Sequence, residues 1–314
     1  MILTLTPNPS IDRTIAVPRL EHGEVNRASS SRIDPGGKGV NVSRALCAHG
    51  TATTAVLPLG GPEGHLMAEL LDVAGVTHRG VEVPGTLRMN IAVVEPDGTT
   101  TKVNEPGPTL TAEHTEALLA VIDRYAATGT WVVGCGSLPP GAGEDLLAEL
   151  VSRARARGAK VAVDSSGAPM AAAVAAGPDL IKPNHEELEE LVGRRLPTVG
   201  DVVGAARQVV ASGVATVVVS LGSDGAVLVD GDTVVHATAT VTDPLSTVGA
   251  GDCLLAGLLH VLAAGGDARS ALESGVRWGA AAVRLPGSEV PGPGDLDGIP
   301  VQVTTDLDLT RAIS

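Results

Sequence analysis

Residues 130–166, TWVVGCGSLPPGAGEDLLAELVSRARARGAKVAVDSS, decide the fold class of this chain of 314 residues. The short apolar runs at 130–136 and 160–166 have the length and composition of buried strands. The segment between them, at 143–157, has a helical pattern. A strand, a helix and a strand in this order form a crossover unit with parallel strands. The stretch therefore predicts an α/β fold.

The same alternation extends in both directions along the chain. The other predicted strands are ILTLT (2–6), TTAVLPL (53–59), DLIKPN (179–184) and TVVVSLG (216–222), with VQV (301–303) as a candidate for the last strand. The other predicted helices are 38–49, 61–74, 112–127, 184–192 and 200–212. We therefore predict a mainly parallel sheet with helices on both faces, which would bind ligands at the carboxyl ends of its strands.

Two stretches interrupt the alternation and predict a second, smaller sheet. IDRTIAVPRL (11–20) with EVNRASSSRI (24–33), and RMNIAVVEPDGTTTKVNEPG (88–107), have the pattern of strand pairs joined by turns. We predict that they form a separate antiparallel sheet that overhangs the main domain as a lid. Such a sheet exposes its edges, so a second subunit is expected to cover it in a homodimer. The predicted boundaries are 12–33 and 86–106 for the lid, and 1–11, 34–85 and 107–314 for the main domain.

Composition excludes several classes of function. A net charge of -14 disfavours nucleic acids and anionic membranes as partners. The chain has no Phe, one Tyr and two Trp, so a nucleotide base is expected to bind among aliphatic side chains. Cys47, Cys135 and Cys253 are far apart, which argues against a disulfide framework and a zinc site. No transmembrane helix or signal peptide is expected, and the cytoplasm is the expected compartment.

Two glycine-rich turns predict anion sites, although neither the P-loop nor the dinucleotide fingerprint occurs. VGAGD (248–252) and PGGKGVN (35–41) each lie at the start of a predicted helix, where unpaired N–H groups bind anions. Alone, each is most simply a packing turn. Because each turn also carries a charged residue, Asp252 or Lys38, the pair favours a phosphate ligand. The helix dipole predicts that Asp252 stays ionised, with a low pKa.

Six motifs occur in the order typical of one enzyme family. They are TLTPNPSIDRT (4–14), DPGGKGVNVSRAL (34–46), GSLPPG (136–141), KPNHEEL (182–188), VVVSLGSDGA (217–226) and STVGAGDCLLAGLL (246–259). Over essentially its whole length the chain resembles the PfkB or ribokinase-like carbohydrate kinases, in particular their fructose-1-phosphate kinase and tagatose-6-phosphate kinase branch. The resemblance implies a ribokinase-like α/β fold and ATP-dependent transfer of a phosphoryl group to a sugar phosphate.

The resemblance also implies roles for individual residues. Asp252 matches the catalytic base of the family, and the backbone of Gly249, Ala250 and Gly251 would stabilise charge on the transferred group. Arg27 is a further candidate for the sugar phosphate, reaching across a dimer. Without the family match, Asp12 would be a turn residue and Arg88 a solvated strand residue. The implied sugar-phosphate ligands are Asp12, Gly37, Lys38, Asn41, Arg88 and Asn90.

The other implied ligand is ATP with Mg²⁺. The resemblance implies that Asn184 and Glu187 organise water around the ion, which suits a cation that keeps its waters. From the residues alone, an Asn helix cap with a glutamate at N3 is an equally good interpretation, and both can hold. An ordinary turn between strands is the structural alternative for the loop at 220–225. The implied nucleotide-side residues are Lys182, Asn184, Ser220, Gly222 and Gly225.

The expected reaction converts ATP and fructose 1-phosphate to ADP and fructose 1,6-bisphosphate. Tagatose 6-phosphate and fructose 6-phosphate are alternative acceptors that the sequence separates poorly. A non-catalytic sugar-phosphate sensor is a further alternative, and a dehydrogenase is disfavoured by the missing dinucleotide fingerprint. Cys253 follows Asp252 at the helix start. One interpretation is that the helix start lowers the pKa of its thiol, so that oxidation of Cys253 inhibits the enzyme. The other is that Cys253 is a buried, inert cysteine.

Overall fold

A computed structural model describes residues 1–313, which form a large sheet between helical layers and a small sheet beside it. The strands are β1 Ile2–Leu5, β2 Ser10–Ala16, β3 Ser30–Gly36, β4 Thr53–Leu59, β5 His78–Glu82, β6 Arg88–Val94, β7 Thr100–Asn104, β8 Trp131–Cys135, β9 Lys160–Asp164, β10 Leu180–Ile181, β11 Thr216–Ser220, β12 Ala226–Val229, β13 Val234–Ala239 and β14 Val301–Thr304. The α-helices are α1 Lys38–Ala48, α2 Gly61–Val73, α3 Ala112–Tyr125, α4 Leu146–Ala156, α5 Gly167–Ala175, α6 His185–Val192, α7 Val199–Ala211, α8 Ala250–Ala263 and α9 Ala268–Val283.

The large sheet has ten strands within residues 1–313, in the order β14-β13-β12-β11-β10-β9-β8-β1-β4-β5. All pairs from β5 to β11 are parallel, and the three pairs from β11 to β14 are antiparallel. The predicted mainly parallel sheet is confirmed. Five elements, β5, β12, β13, α5 and α9, were not among the predicted ones. β5 is a half-exposed edge strand and α5 is rich in alanine, so neither has a clear apolar period.

The core lies on both faces of the large sheet. Along β1, Leu3 and Leu5 face a cluster that α3 to α7 cover, whereas Ile2 faces a cluster with α1, α8 and α9. Successive strand residues point to opposite faces, and both faces are buried here. This burial explains the uninterrupted apolar runs of the sequence.

Local signals set several boundaries. Thr111, Asn184 and Thr198 cap α3, α6 and α7, each in a reciprocal capping box. The helix predicted at 143–157 begins only at Leu146, since turns precede it in the glycine-containing segment. The strand predicted at 179–184 is shortened to β10 because a proline, which has no N–H, follows the next lysine.

The small sheet has the order β3-β2-β6-β7. Its outer pairs are antiparallel, but the central strands β2 and β6 run parallel, from Ser10 opposite Arg88 to Ala16 opposite Val94. A separate small sheet is therefore confirmed, whereas a wholly antiparallel one is wrong. β2 follows β1 and β6 follows β5, and these preceding strands share one direction in the large sheet. Both chain segments consequently enter the small sheet in the same direction.

Among residues 1–313, no helix combines the length and the apolar character needed to cross a bilayer.

Candidate active site

The carboxyl ends of β9, β10 and β11 meet the start of α8 around a cavity of about 940 Å³. This is the sheet edge at which the sequence predicts ligand binding. The cavity brings together all of the predicted catalytic and nucleotide-side residues, with Glu187, predicted for Mg²⁺, and Lys38, predicted for the sugar phosphate. They are Lys38, Lys182, Asn184, Glu187, Ser220, Gly222, Gly225, Gly249, Ala250, Gly251 and Asp252.

The turn before α8 presents backbone donors beside a carboxylate. Gly249 is the N-cap and has a left-handed backbone with φ 77°, which favours glycine. Ala250 N–H already makes a long 3.4 Å hydrogen bond to the Thr247 carbonyl. The N–H groups of Gly251 and Asp252 lie in the first turn, where a helix offers no internal acceptor. The turn therefore supplies donors for an anion next to the Asp252 side chain.

Asp252 is only 7% exposed, and its surroundings favour the protonated form. Burial, together with the charge of Asp164, raises the pKa of Asp252 to about 7. A hydrogen bond from Asn41 Nδ2 to Asp252 Oδ2, at 2.8 Å, and the ammonium groups of Lys38 and Lys182 oppose this rise without cancelling it. The predicted low pKa is thus wrong, because desolvation outweighs the helix dipole. A carboxylate with this pKa is suited to accept a proton near neutral pH.

Asp164 is a central residue that the sequence reasoning missed. It ends β9, is fully buried, and lies 2.7 Å from Lys38 Nζ and 2.9 Å from Lys182 Nζ. Burial disfavours its charge, but the two ammonium groups outweigh burial and lower the pKa of Asp164. The available signal was a lone acidic residue at the end of the apolar run KVAVD. Asp164 therefore holds two lysines at the cavity wall.

Lys38 lies on the nucleotide-side wall, although the resemblance assigns it to the sugar phosphate. Its Nζ is 3.5 Å from Glu187 Oε1 as well as close to Asp164. Burial opposes the charge of Lys38, but both carboxylates favour it and raise the pKa of its ammonium group. Lys38 is thus placed between the carboxylates and the start of α8, where it can reach a transferred phosphoryl group.

Asn184 and Glu187 form the capping box of α6. Glu187 N–H donates to Asn184 Oδ1 at 2.7 Å, and Asn184 N–H donates to Glu187 Oε2 at 2.8 Å. The predicted Asn helix cap with a glutamate at N3 is confirmed. Both residues also line the cavity. Within residues 1–313, no group of three or more acidic, histidine or cysteine side chains is arranged to hold a metal ion.

The loop after β11 closes one end of the cavity. Gly222 and Gly225 have φ values of 59° and 85°, and a Cβ at Gly225 would collide with the Ala237 carbonyl. The loop leads directly from β11 into β12, so it is a turn between two strands, which was the structural alternative predicted for residues 220–225. The rest of the cavity wall here is aliphatic. It comprises Ala239, Val241, Pro244, Val276, Ala280 and Val283.

A second polar cluster lies where β2 pairs with β6, outside this cavity. Ser10 Oγ and Asn90 Nδ2 donate to Asp12 Oδ1 at 2.7 and 3.0 Å. Burial raises the pKa of Asp12, and burial lowers the pKa of Arg88 at the start of β6. Within the described residues, Arg88 Nε and Asn90 Oδ1 are buried without a hydrogen-bond partner. Such buried polar groups are available to bind a polar ligand or water.

Helix α1 connects the cluster and the cavity. Gly37, its N-cap, has φ 109° and lies against Thr6 and Pro9, whereas Asn41 on the first turns bonds to Asp252. Arg27 is exposed in the loop between β2 and β3. Cys253 is fully buried, and burial with the charge of Asp252 raises the pKa of its thiol. The expected burial of Cys253 is confirmed, and the expected lowering of its thiol pKa is wrong.

Comparison with known proteins identifies the class of this protein. Residues 6–293 match the pfkB family carbohydrate kinase, and the chain belongs to this family. It is therefore a phosphotransferase with an alcohol group as acceptor, as the motifs indicate.

Particular relatives cover nearly the whole chain. The 1-phosphofructokinase of Rhodobacter capsulatus is 39% identical over 307 residues, covering 96% of each chain. The ATP-dependent 6-phosphofructokinase isozyme 2 of Escherichia coli is 37% identical over 284 residues, covering 90% of each chain. A crystal structure of phosphofructokinase-2 from Escherichia coli, in complex with potassium, superposes with a TM-score of 0.90 at 35% identity. That match covers 94% of this chain and 96% of the other and confirms the expected fold.

Proposed function

We propose that this chain transfers a phosphoryl group from ATP to fructose 1-phosphate, giving ADP and fructose 1,6-bisphosphate. The observation that carries the proposal is the buried Asp252 carboxylate, whose pKa is about 7, beside the N–H groups that start α8. The similarity to a 1-phosphofructokinase favours this acceptor.

In the proposed mechanism Asp252 is the general base. The sugar hydroxyl oxygen forms a bond to the γ-phosphorus of ATP, while the bond to the bridging oxygen breaks and ADP leaves. The hydroxyl proton passes to the Asp252 carboxylate late in the reaction, as a loose transition state requires. The backbone of Gly249, Ala250 and Gly251 stabilises charge on the transferred group, with Gly251 N–H as the best placed donor.

The polar cluster at the small sheet is the proposed sugar-phosphate site. Asp12 and Asn90 bind hydroxyl groups, and the Arg88 guanidinium binds the phosphate in a protein whose net charge of -14 repels anions. Their support is the buried and unpartnered Arg88 Nε and Asn90 Oδ1. Gly37 and Asn41 complete the site on the side facing Asp252.

The cavity is the proposed nucleotide site. Lys38 and Lys182 neutralise phosphate charge, and the loop with Ser220, Gly222 and Gly225 binds the nucleotide beside the aliphatic wall. The oxygens of Asn184 and Glu187 fit Mg²⁺, because this ion prefers oxygen ligands and keeps several waters. When bound, Mg²⁺ neutralises charge that develops on the phosphates.

The small sheet is proposed as a lid and as the interface of a homodimer in the cytoplasm. Ile33 and Val103, on β3 and β7, are 39% and 58% exposed. A covering subunit would bury them, and closure of the lid would exclude water from phosphoryl transfer. Light scattering should give twice the mass of the chain, and Ile33→Asp should give monomers. A monomeric wild-type protein would rule out the dimer.

The decisive experiment measures ADP release with Mg²⁺ and ATP. The acceptors are fructose 1-phosphate, fructose 6-phosphate, tagatose 6-phosphate and unphosphorylated fructose, with wild type and Asp252→Asn compared. We expect the highest kcat/KM with fructose 1-phosphate, and a loss of about 10²- to 10⁴-fold in the variant, since it lacks the base. Full activity of Asp252→Asn would refute the assigned base.

A second acceptor is supported by one observation. The similarity to the ATP-dependent 6-phosphofructokinase isozyme 2 favours fructose 6-phosphate. The same assay separates the two, since a preference for fructose 6-phosphate or tagatose 6-phosphate changes the substrate and retains the mechanism. Tight binding of sugar phosphate without any turnover would instead identify a sensor.

A further inference from the structure

Arg44 is a buried arginine on α1 that lies outside the predicted site. It is 9% exposed, and burial lowers the pKa of its guanidinium group. Its Nη1, which has two N–H groups, shares them among three acceptors: Asn41 Oδ1 at 3.2 Å, the Pro35 carbonyl at 3.2 Å and the Ser288 carbonyl at 3.0 Å. One guanidinium therefore ties together α1, the end of β3 and the loop after α9.

The bond to Asn41 fixes which way the asparagine amide faces. Arginine is a donor only, so the oxygen of the Asn41 amide must face Arg44. The Nδ2 group is then directed to the opposite side, where it donates to Asp252 Oδ2 at 2.8 Å. With the amide reversed, its carbonyl oxygen would face the carboxylate of Asp252 and repel it.

The other contacts of Arg44 lead to the small sheet. Arg44 Nη2 lies 3.8 Å from Asp34 Oδ1, on β3, and the Arg32 side chain binds both oxygens of Asp34 at 2.8 Å. Arg32 also forms an ion pair with Glu289, next to Ser288. The arginine that orients Asn41 is consequently held by β3, an edge strand of the small sheet.

We propose that Arg44 is a positioning residue, which orients Asp252 through the Asn41 amide and couples this orientation to strand β3 of the small sheet. This inference rests on the proposed role of Asp252 as the base. It leaves Asp252 Oδ1 as the oxygen that receives the hydroxyl proton, because Oδ2 is occupied by Asn41. Loss of Arg44 should impair the chemical step more than substrate binding.

A pH profile gives a readout that a purely structural role would not change. The charged groups that face Asp252 are Asp164, Lys38 and Lys182, and those that face Arg44 include Asp34 and Arg32. The Asn41 hydrogen bond lowers the pKa of Asp252. If the amide is free to reverse, that pKa rises, and the acid limb of kcat/KM moves to higher pH.

The test uses the full chain with ATP, Mg²⁺ and the best acceptor of the ADP-release assay. Arg44→Lys is the primary variant, because lysine keeps the positive charge but has a single nitrogen. It cannot both bind the three oxygens that Nη1 contacts and face Asp34 as Nη2 does. Arg44→Met removes the charge as well. The matched control is Arg277→Met, which removes a guanidinium that also binds a carbonyl and a carboxylate, away from the cavity.

We expect Arg44→Lys to lower kcat about 10- to 100-fold, as small misplacements of a reacting group do, with KM changed less than about threefold. The acid limb should move to higher pH, and Arg277→Met should match wild type in both respects. In an Asn41→Ala background, Arg44→Lys should cause no additional loss of kcat, because both changes break the same chain of contacts.

Three results would overturn the proposal. The first is that Arg44→Lys has the kcat of wild type and an unmoved acid limb. The second is that Arg44→Lys lowers kcat by the same factor in the Asn41→Ala background as in wild type. The third is that Arg277→Met lowers kcat as much as Arg44→Lys does. Arg44→Met is assayed only if circular dichroism shows that it is folded. If it is not folded, Arg44→Lys alone decides the test. If Asp252→Asn itself is active, the proposed base fails; if Asp252→Asn is inactive while Arg44→Lys is normal, only the role of Arg44 fails.

Discussion

Asp164, at the end of β9, and Asp252, at the start of α8, are both buried aspartates on the wall of one cavity, but their pKa values move in opposite directions. Asp164 contacts two lysine ammonium groups within 3 Å, and they keep it ionised. Asp252 has an amide as its hydrogen-bond partner and the charge of Asp164 nearby, so burial raises its pKa to about 7.

The difference separates a structural charge from a reactive one. A carboxylate that is already neutralised by lysines has little tendency to accept a proton, whereas a partly desolvated one is ready to do so near neutral pH. Burial alone therefore does not distinguish a candidate base from a structural carboxylate, whereas the partner of each carboxylate does. The following predictions test this contrast.

The largest expected effect is on folding, in Asp164→Asn. The change leaves Lys38 and Lys182 without their shared counter-charge, and breaking a buried ion pair costs about 3 to 5 kcal/mol. The free energy of unfolding, measured by urea denaturation, should fall by this amount. The control is Asp123→Asn, which breaks the more exposed pair with Arg153 and should change it little. Equal losses of unfolding free energy in both variants would mean that the buried Asp164 pairs stabilise the fold no more than the more exposed pair of Asp123.

A second prediction concerns stability and pH in Asp252→Asn. The folded-state pKa of Asp252, about 7, lies above the ordinary aspartate value of 3.8, so the folded protein holds this proton more tightly and loses stability as pH rises from about 4 to 7. Each pH unit corresponds to about 1.4 kcal/mol, which gives up to about 4 kcal/mol above pH 7. The neutral variant avoids this loss. Its melting temperature should exceed that of wild type at pH 8, and the gap should shrink at pH 5; a constant gap contradicts the raised pKa.

A third prediction concerns the pH dependence of activity. Wild-type kcat/KM should be half-maximal near pH 7, level off above about pH 8 as Asp252 loses its proton, and fall about tenfold per unit well below the midpoint. The charge of Asp164 raises the pKa of Asp252, so a folded Asp164→Asn variant should have its midpoint at lower pH. Steady-state kinetics from pH 5 to 9, in buffers of constant ionic strength, would measure both midpoints. An unmoved midpoint would show that the two carboxylates are not coupled.

The smallest effect is expected at Cys253, beside Asp252. Its thiol is buried and its pKa is raised, so iodoacetamide should leave it unmodified in the native protein and leave activity unchanged. Cys47, which is partly exposed, should react first. Mass spectrometry of the labelled protein distinguishes the two sites. Rapid labelling of Cys253 with loss of activity would instead support a reactive thiol next to the base.

Much of the site could be predicted because its signals are local. The glycine turn before Asp252 and the capping box of Asn184 and Glu187 each lie within a few adjacent residues, and such short patterns define helix starts. The small sheet was predicted from turn residues, but its parallel central pair was not. The direction of β2 and β6 depends on where the preceding strands lie in the large sheet.

The sequence by itself determined the alternating α/β architecture, the glycine-rich helix starts and the family of the protein, since these depend on residue patterns along the chain. Only the tertiary structure decided which charges meet. Lys38 and Asp164 are 126 residues apart in sequence, Asn41 and Asp252 are 211 apart, and Arg44 and Ser288 are 244 apart. The pKa of Asp252 depends on this assembly, because burial and the nearby charge of Asp164 exist only after the sheet and its helices have packed.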